Sequence, residues 1–159
     1  MAVVVFSNEA KLEIKFSDHK DYDSFKKAVL AIKHPDMGTN TLEGFKVALS
    51  EMFSESTGMR PDEIPKNLIY LTDGACSKIP EWDCSEERFK EFGIRFEERR
   101  IRKIGIGIGP AINESEIVSF VGKESFFKED NFYKIMSKKF RSSLSICDGE
   151  LNLLLLIFI

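Results

Sequence analysis

Cysteine is scarce in this chain of 159 residues: Cys76, Cys84 and Cys147 are the whole complement. They form no Cys-x-x-Cys pair and no Cys/His cluster, so the usual ligand spacing of a zinc site is missing. Positive charge is not in excess. Lys and Arg number 23 against 26 Asp and Glu, a net charge of −3 with no basic stripe, which argues against nucleic acid as a main partner. Long apolar runs are also missing. The most apolar stretch, Leu151–Ile159, has nine residues, about half of the roughly 20 that a membrane helix needs, so no membrane span is read. The start, Met1–Ser7, has no positive n-region and no small-residue cleavage site, and is not read as a signal peptide. No Ser/His/Asp order with a nucleophile elbow and no nucleophile–base pair occurs, so no enzyme class is indicated.

What is present suits one globular domain. Hydrophobic residues make up 43% and charged residues 31%, enough to bury a core at this length. Phenylalanine dominates the aromatics, with 14 Phe against three Tyr and one Trp, and reads as core filling. Ala2–Ser7 is a short Val-rich strand. Leu12, Ile14 and Phe16 alternate with charged residues, as on a half-exposed strand that pairs with the first as a hairpin. Helical spacing follows over 21–32, with Phe25, Val29 and Ile32 on one face, and again over 41–54. Asn67–Thr72 is a near-continuous apolar run that ends at Asp73-Gly74, in the manner of a central parallel strand. Beyond it come a helix over 85–98, a strand over 101–108, a helix over 113–121, a short strand over 125–128 and a closing helix over 131–146. After the opening hairpin, strands and helices alternate. The pattern predicts an α/β fold: a doubly wound, mostly parallel sheet flanked by helices on both faces, with one antiparallel edge strand. Ligands of such sheets bind at the carboxyl ends of the strands.

Two stretches converge on that end. Gly38-Thr39-Asn40-Thr41 opens a helix, and Thr72-Asp73-Gly74 closes the predicted central strand. A Thr hydroxyl and an Asp carboxylate are hard oxygen donors of the kind Mg²⁺ takes together with water. The same residues also read as a helix cap and a turn. Cys76 and Cys84, eight apart in one loop, are placed to close a small disulfide that leaves Cys147 over; three reduced thiols are the alternative. Gly105-x-Gly107-x-Gly109 lies within a strand and lacks the dinucleotide-binding spacing. His19 and His34 lie in polar loop contexts. Asn113-Glu114-Ser115 is a glycosylation sequon, or simply a helix start. The basic run Arg99-Arg100-Ile101-Arg102-Lys103 reads as a solvated helix end.

In order and spacing, several of these segments resemble a von Willebrand factor type A domain of the matrilin, collagen and integrin kind. The segments are Val3-Val4-Val5-Phe6-Ser7, then Gly38-Thr39-Asn40-Thr41 with Ala48-Leu49, then Gly58–Pro61. They continue with Pro65–Gly74, Ile104–Gly109 and Phe132–Ile146. The match at Pro65–Gly74 is the most specific. The resemblance implies a Rossmann-like sheet and a protein-binding, adhesion-type module with an extracellular protein ligand such as a matrix protein. It therefore implies an extracellular or secreted setting, and a metal-ion-dependent adhesion site that holds Mg²⁺. Thr39 and Asp73 match that site's threonine and its second aspartate.

The rest of the metal site comes, in that family, from an Asp-x-Ser-x-Ser motif at the end of the first, central strand. No such motif occurs in this sequence, and neither Ser7 nor Ser142-Ser143 supplies it. Residues 1–147 thus read as a partial type A domain that lacks its first central strand, with metal-dependent binding impaired or lost. A metal-independent interaction module, or a non-functional fragment of a tandem array, is the alternative. Residues 148–159 resemble the first strand of another such domain. This apolar tail either enters the vacant central slot, as in a circular permutant, or is an extension with no partner.

Overall fold

A computed structural model describes residues 1–33, 38–61, 63–131 and, as a backbone path, 153–156. The opening strand β1 (Val3–Phe6) turns through Ser7–Glu9 into β2 (Ala10–Ile14), its antiparallel partner. Helix α1 (Tyr22–Ala31) starts at Asp21, whose carboxylate accepts the Ser24 N–H at 2.9 Å, a cap for an otherwise orphaned donor. Helix α2 (Thr41–Val47) is capped by Asn40 and runs into a π turn, Ala48–Met52. The helix expected over 41–54 is therefore real but widened near its end. Then come β3 (Lys66–Thr72), α3 (Glu86–Glu98), β4 (Ile101–Ile108), α4 (Glu114–Val121), β5 (Phe126–Glu129) and β6 (Leu153–Leu156). The closing helix expected over 131–146, together with His34 and Cys147, lies outside the described residues.

The strands form one six-stranded sheet in the order β2-β1-β6-β3-β4-β5. Only β2 is antiparallel. The tail enters the middle of the sheet: β6 lies between β1 and β3, parallel to both, with Leu155 level with Val3 on one side and Ile69 on the other.

Alternation along the strands sorts side chains between two faces. On one face Val4, Phe6, Leu68 and Tyr70 meet an aromatic layer from α2, α3 and α4: Phe45, Phe89, Phe92, Phe96 and Phe120. On the other, Val3, Val5 and Ile14 pack with Phe25 and Val29 on α1 and Ile32 just past its end. All seven residues of β3 are buried, as a strand with neighbours and cover on both sides should be. Gly105 and Gly107 explain the glycine run in β4. A Cβ at Gly105 would stand 2.5 Å from Ile117 Cγ2, and one at Gly107 2.5 Å from Ile112 Cδ1. Their absence lets α4 and the loop before it lie directly on the strand.

The basic run after α3 is not simply solvated. Arg99 donates to the Leu49 carbonyl at 2.6 Å. Lys103 is 6% exposed, and its ammonium donates to the Gly93 carbonyl at 2.8 Å and to Glu97 at 2.7 Å. A buried ammonium survives only when its protons are so paired.

Candidate functional site

The site expected at Thr39 and Asp73 lies at the carboxyl end of the parallel strands. Thr39 sits in the loop that opens α2, and three bonds fix that loop. The Asn40 N–H donates to the Ser7 carbonyl at 2.6 Å, tying it to the end of β1. The Thr39 N–H donates to Ser77 Oγ at 2.9 Å, and the Ser77 N–H donates back to the Thr39 carbonyl at 3.0 Å. The loop after β3 and the loop before α2 are therefore latched to each other. A Cβ added to Gly74 would stand 3.7 Å from Thr39 Oγ1, so the threonine hydroxyl borders the Asp73-Gly74 turn. Thr72 shapes that turn: its hydroxyl accepts the Gly74 N–H at 3.2 Å and donates to the Gly74 carbonyl at 2.9 Å. Asp73 is left exposed. The structure thus sets the Thr39 hydroxyl beside the Asp73-Gly74 turn.

Beside them, Cys76 and Cys84 are joined in a disulfide, the first of the two cysteine readings. The ring it closes carries Ser77, one half of the latch to Thr39, and Trp82, whose ring edge would meet a Cβ at Gly38 at 3.2 Å.

Sequence reasoning passed over Glu116. It is 4% exposed. Its Oε2 accepts the Cys76 N–H at 2.9 Å, and its Oε1 accepts from Asn113 Nδ2 at 2.8 Å. The sequon asparagine caps α4 through its other atom, Oδ1, which accepts from the Ser115 N–H and hydroxyl. The signal for Glu116 was its place on the helical stripe with Phe120, a position where a solvated acid is out of pattern. Burial pushes the Glu116 carboxyl above its ordinary range, against the pull of the two hydrogen bonds. Burial likewise raises the Tyr70 hydroxyl, which neighbours Thr41 and Thr72. The Thr41 hydroxyl is fully buried and makes no hydrogen bond of ordinary length.

A raised folded-state pKa has a definite sign in stability. Below about 4.5, the ordinary value, Glu116 is protonated in both states. As pH rises through its folded pKa, the unfolded chain has already released a proton that the native chain still holds, so stability falls. We expect the melting temperature of the wild type, relative to Glu116→Gln, to decrease as pH rises from 4.5 toward neutrality. The slope should be no steeper than about 1.4 kcal/mol per pH unit. Thermal melts of both chains across that range check it; a difference that is flat or rises with pH contradicts the assignment.

The donors put forward for Mg²⁺ are Thr39 and Asp73. Among the described residues no group of three His, Cys, Asp or Glu is gathered for a metal. Both oxygens of Glu116 are already engaged. Thr39 and Asp73 alone offer two oxygens to an ion that demands near-octahedral coordination and gives up water reluctantly.

Similarity to known proteins agrees with this fold. A model of the von Willebrand factor type A domain matches residues 1–141. Mouse (Mus musculus) matrilin-4 is 26% identical over 116 residues, which cover 72% of this chain and 17% of that protein. The collagen alpha-1(XXI) chain of Xenopus laevis is 27% identical over 134 residues, 82% of this chain and 13% of that one. The chain therefore spans less than a fifth of either relative. Proximal thread matrix protein 1 of the mussel byssus, solved with zinc in its MIDAS motif, superposes with a TM-score of 0.72. It is 18% identical, with 91% of this chain and 35% of that one covered; at that identity the likeness is one of fold. With the family model covering most of its length and the sheet laid out as described, this chain belongs to the von Willebrand factor type A domain family.

Proposed function

We propose that the chain is a protein-interaction module of extracellular-matrix type, not an enzyme, and that its binding does not depend on a resident metal. The observation that carries this reading is the donor set at the sheet's carboxyl end. Thr39 and the Asp73 turn are held together there, but the sequence has no Asp-x-Ser-x-Ser motif and the nearby Glu116 is fully committed. An extracellular setting is supported by the Cys76–Cys84 disulfide, since such bonds persist in oxidising compartments. Among the described residues no helix is long and apolar enough to cross a membrane. The disulfide loop and the Thr39 loop, latched side by side, give the partner, a matrix protein in this reading, a stiff surface to dock on.

One observation favours a second reading. The tail occupies the place of a first strand, as expected if residues 1–147 are the back of one domain and 148–159 the front of the next in a tandem array.

Thermal melts in EDTA and in excess Mg²⁺ test the metal question. A ligand that binds only the native state adds RT ln(1 + [L]/Kd), about 2.7 kcal/mol at a hundredfold excess over Kd. We expect melting temperatures that agree within about 1 °C, well short of the roughly 2–4 °C that each kcal/mol brings at this size. A rise with Mg²⁺ that disappears in Asp73→Ala would show a working metal site and overturn the reading.

A further inference from the structure

We propose that the slot between β1 and β3 is a strand-acceptor site, and that besides the chain's own β6 it admits the β6 of a second copy. The inference rests on the sheet order and is independent of the metal reading. β6 is the last element of the chain, yet it sits in the middle of the sheet. Leu155 and Leu156 pair with Val3 and Val4 on one side, and Leu153–Leu156 pair with Asn67–Tyr70 on the other. β1 and β3 do not pair with each other: β1 has β2 as its other neighbour, and β3 has β4. Without β6 the sheet is two blocks, β2-β1 and β3-β4-β5, each ending in a row of N–H and C=O groups with no partner.

Those facing edges are lined by Val3, Val4, Leu68, Ile69 and Tyr70, all at or below 2% exposure. Such edges do not stay open in water. The gap between them is two strand spacings, roughly 9.5 Å. That admits one extended strand, whereas a helix of about 10–12 Å with no free backbone donors or acceptors would satisfy neither edge. The occupant must be apolar, because the sheet is covered on both faces, and β6 fills the slot parallel to both neighbours. Leu151–Ile159 has that character, and every copy of the chain carries it.

Kinetics leave the slot available to a second copy. Pairing Leu155 with Val3 joins the two ends of the chain, and long-range parallel pairing is intrinsically slow. Until it closes, a neighbour's tail competes with the same sequence. The exchanged dimer repeats the pairings of β6 with β1 and β3, so for these strands only connectivity and concentration separate the two.

The test is refolding of the full chain at about 1 µM and about 500 µM, well below and near the mM-order effective concentration of a tethered strand. Size-exclusion chromatography with light scattering reads the products. We expect monomer at the lower concentration and, at the higher one, a dimer fraction at least several-fold larger that persists on dilution. Native monomer concentrated without unfolding stays monomeric. In addition, a lysine-flanked peptide of residues 151–159, present at a few mM (the order of the tethered strand's effective concentration) while the chain refolds at the lower concentration, stays with a measurable fraction of the chains, and its Leu155→Pro version does not. A dimer that forms without unfolding is a surface contact and overturns the proposal. So does refolding that shows neither concentration dependence nor peptide retention. If the chain aggregates at the higher concentration, retention at the lower one decides.

Discussion

Leu155→Pro, which loses both the leucine side chain and a ladder hydrogen bond, should cost this domain about 3 kcal/mol or more and lower its melting temperature by at least roughly 6 °C. Leu155 lies level with Val3 in β1 and with Ile69 in β3. In a strand with partners on both sides every N–H is aimed at a neighbour, which is why proline is confined to edge strands, strand starts and bulges. The substitution removes a donor and leaves a carbonyl of β1 or β3 unmatched in a dry interior, at about 1–3 kcal/mol. The ring also pushes against the adjoining strand. Against a total stability on the order of 5–15 kcal/mol, the loss is severe. Leu155→Ala is the control, since it trims the side chain but keeps the N–H. The expected order of melting temperature is wild type, then Leu155→Ala, then Leu155→Pro. A proline variant that melts within about 2 °C of wild type, a shift of under roughly 1 kcal/mol, would mean that the tail is not the central strand.

That the tail could take this place is legible in the amino-acid order, because Leu151–Ile159 is a strand's worth of apolar residues, but the same order reads equally as an extension with no partner. The strands β3 and β4 are legible from their apolar runs: Leu68–Leu71 is apolar on both alternations, and Ile104–Ile108 carries Ile on one and glycine on the other, as buried strands do. Thr39 and Asp73 are placed by the order of motifs, and the structure sets their loops side by side. Lys103 is not legible. In one dimension it ends a basic run; in three it lies under α3, where the Gly93 carbonyl and Glu97 bind its ammonium. Glu116 escapes for a similar reason, since its role is to hold the N–H of Cys76 from forty residues away. The stripe shared with Phe120 marks Glu116 as out of pattern, but no local spacing names the distant backbone group it serves. The π turn at Ala48–Met52 is hidden because one extra residue in a helical turn barely disturbs the apolar spacing.

The second large effect is expected from Phe45→Ala. Phe45 is fully buried at the centre of the aromatic layer. Its ring stacks on Phe120 with centroids 3.9 Å apart, and meets Tyr70, Phe89, Phe92 and Phe96 at 5.2 to 6.1 Å. It therefore joins α2 to β3, α3 and α4 at once. Truncation to alanine costs about 3–5 kcal/mol, for lost transfer energy and the cavity left behind. At this size that is roughly a 6–20 °C drop in melting temperature. Phe45→Leu, which keeps most of the apolar volume, should lose less, because the cavity it leaves is smaller. The consequence reaches the candidate site. α2 begins at Thr41, directly after Thr39 and its capping Asn40, so the helix that Phe45 anchors also sets where Thr39 stands relative to Asp73. In Phe45→Ala the amides of Thr39, Asn40 and Ser77 should exchange hydrogen faster than in Phe45→Leu, even at temperatures where both chains are folded. If the two variants instead match in melting temperature and in exchange at these three amides, Phe45 is only one more apolar contact, and the loop that carries Thr39 is held by its latch to Ser77 and Ser7 alone.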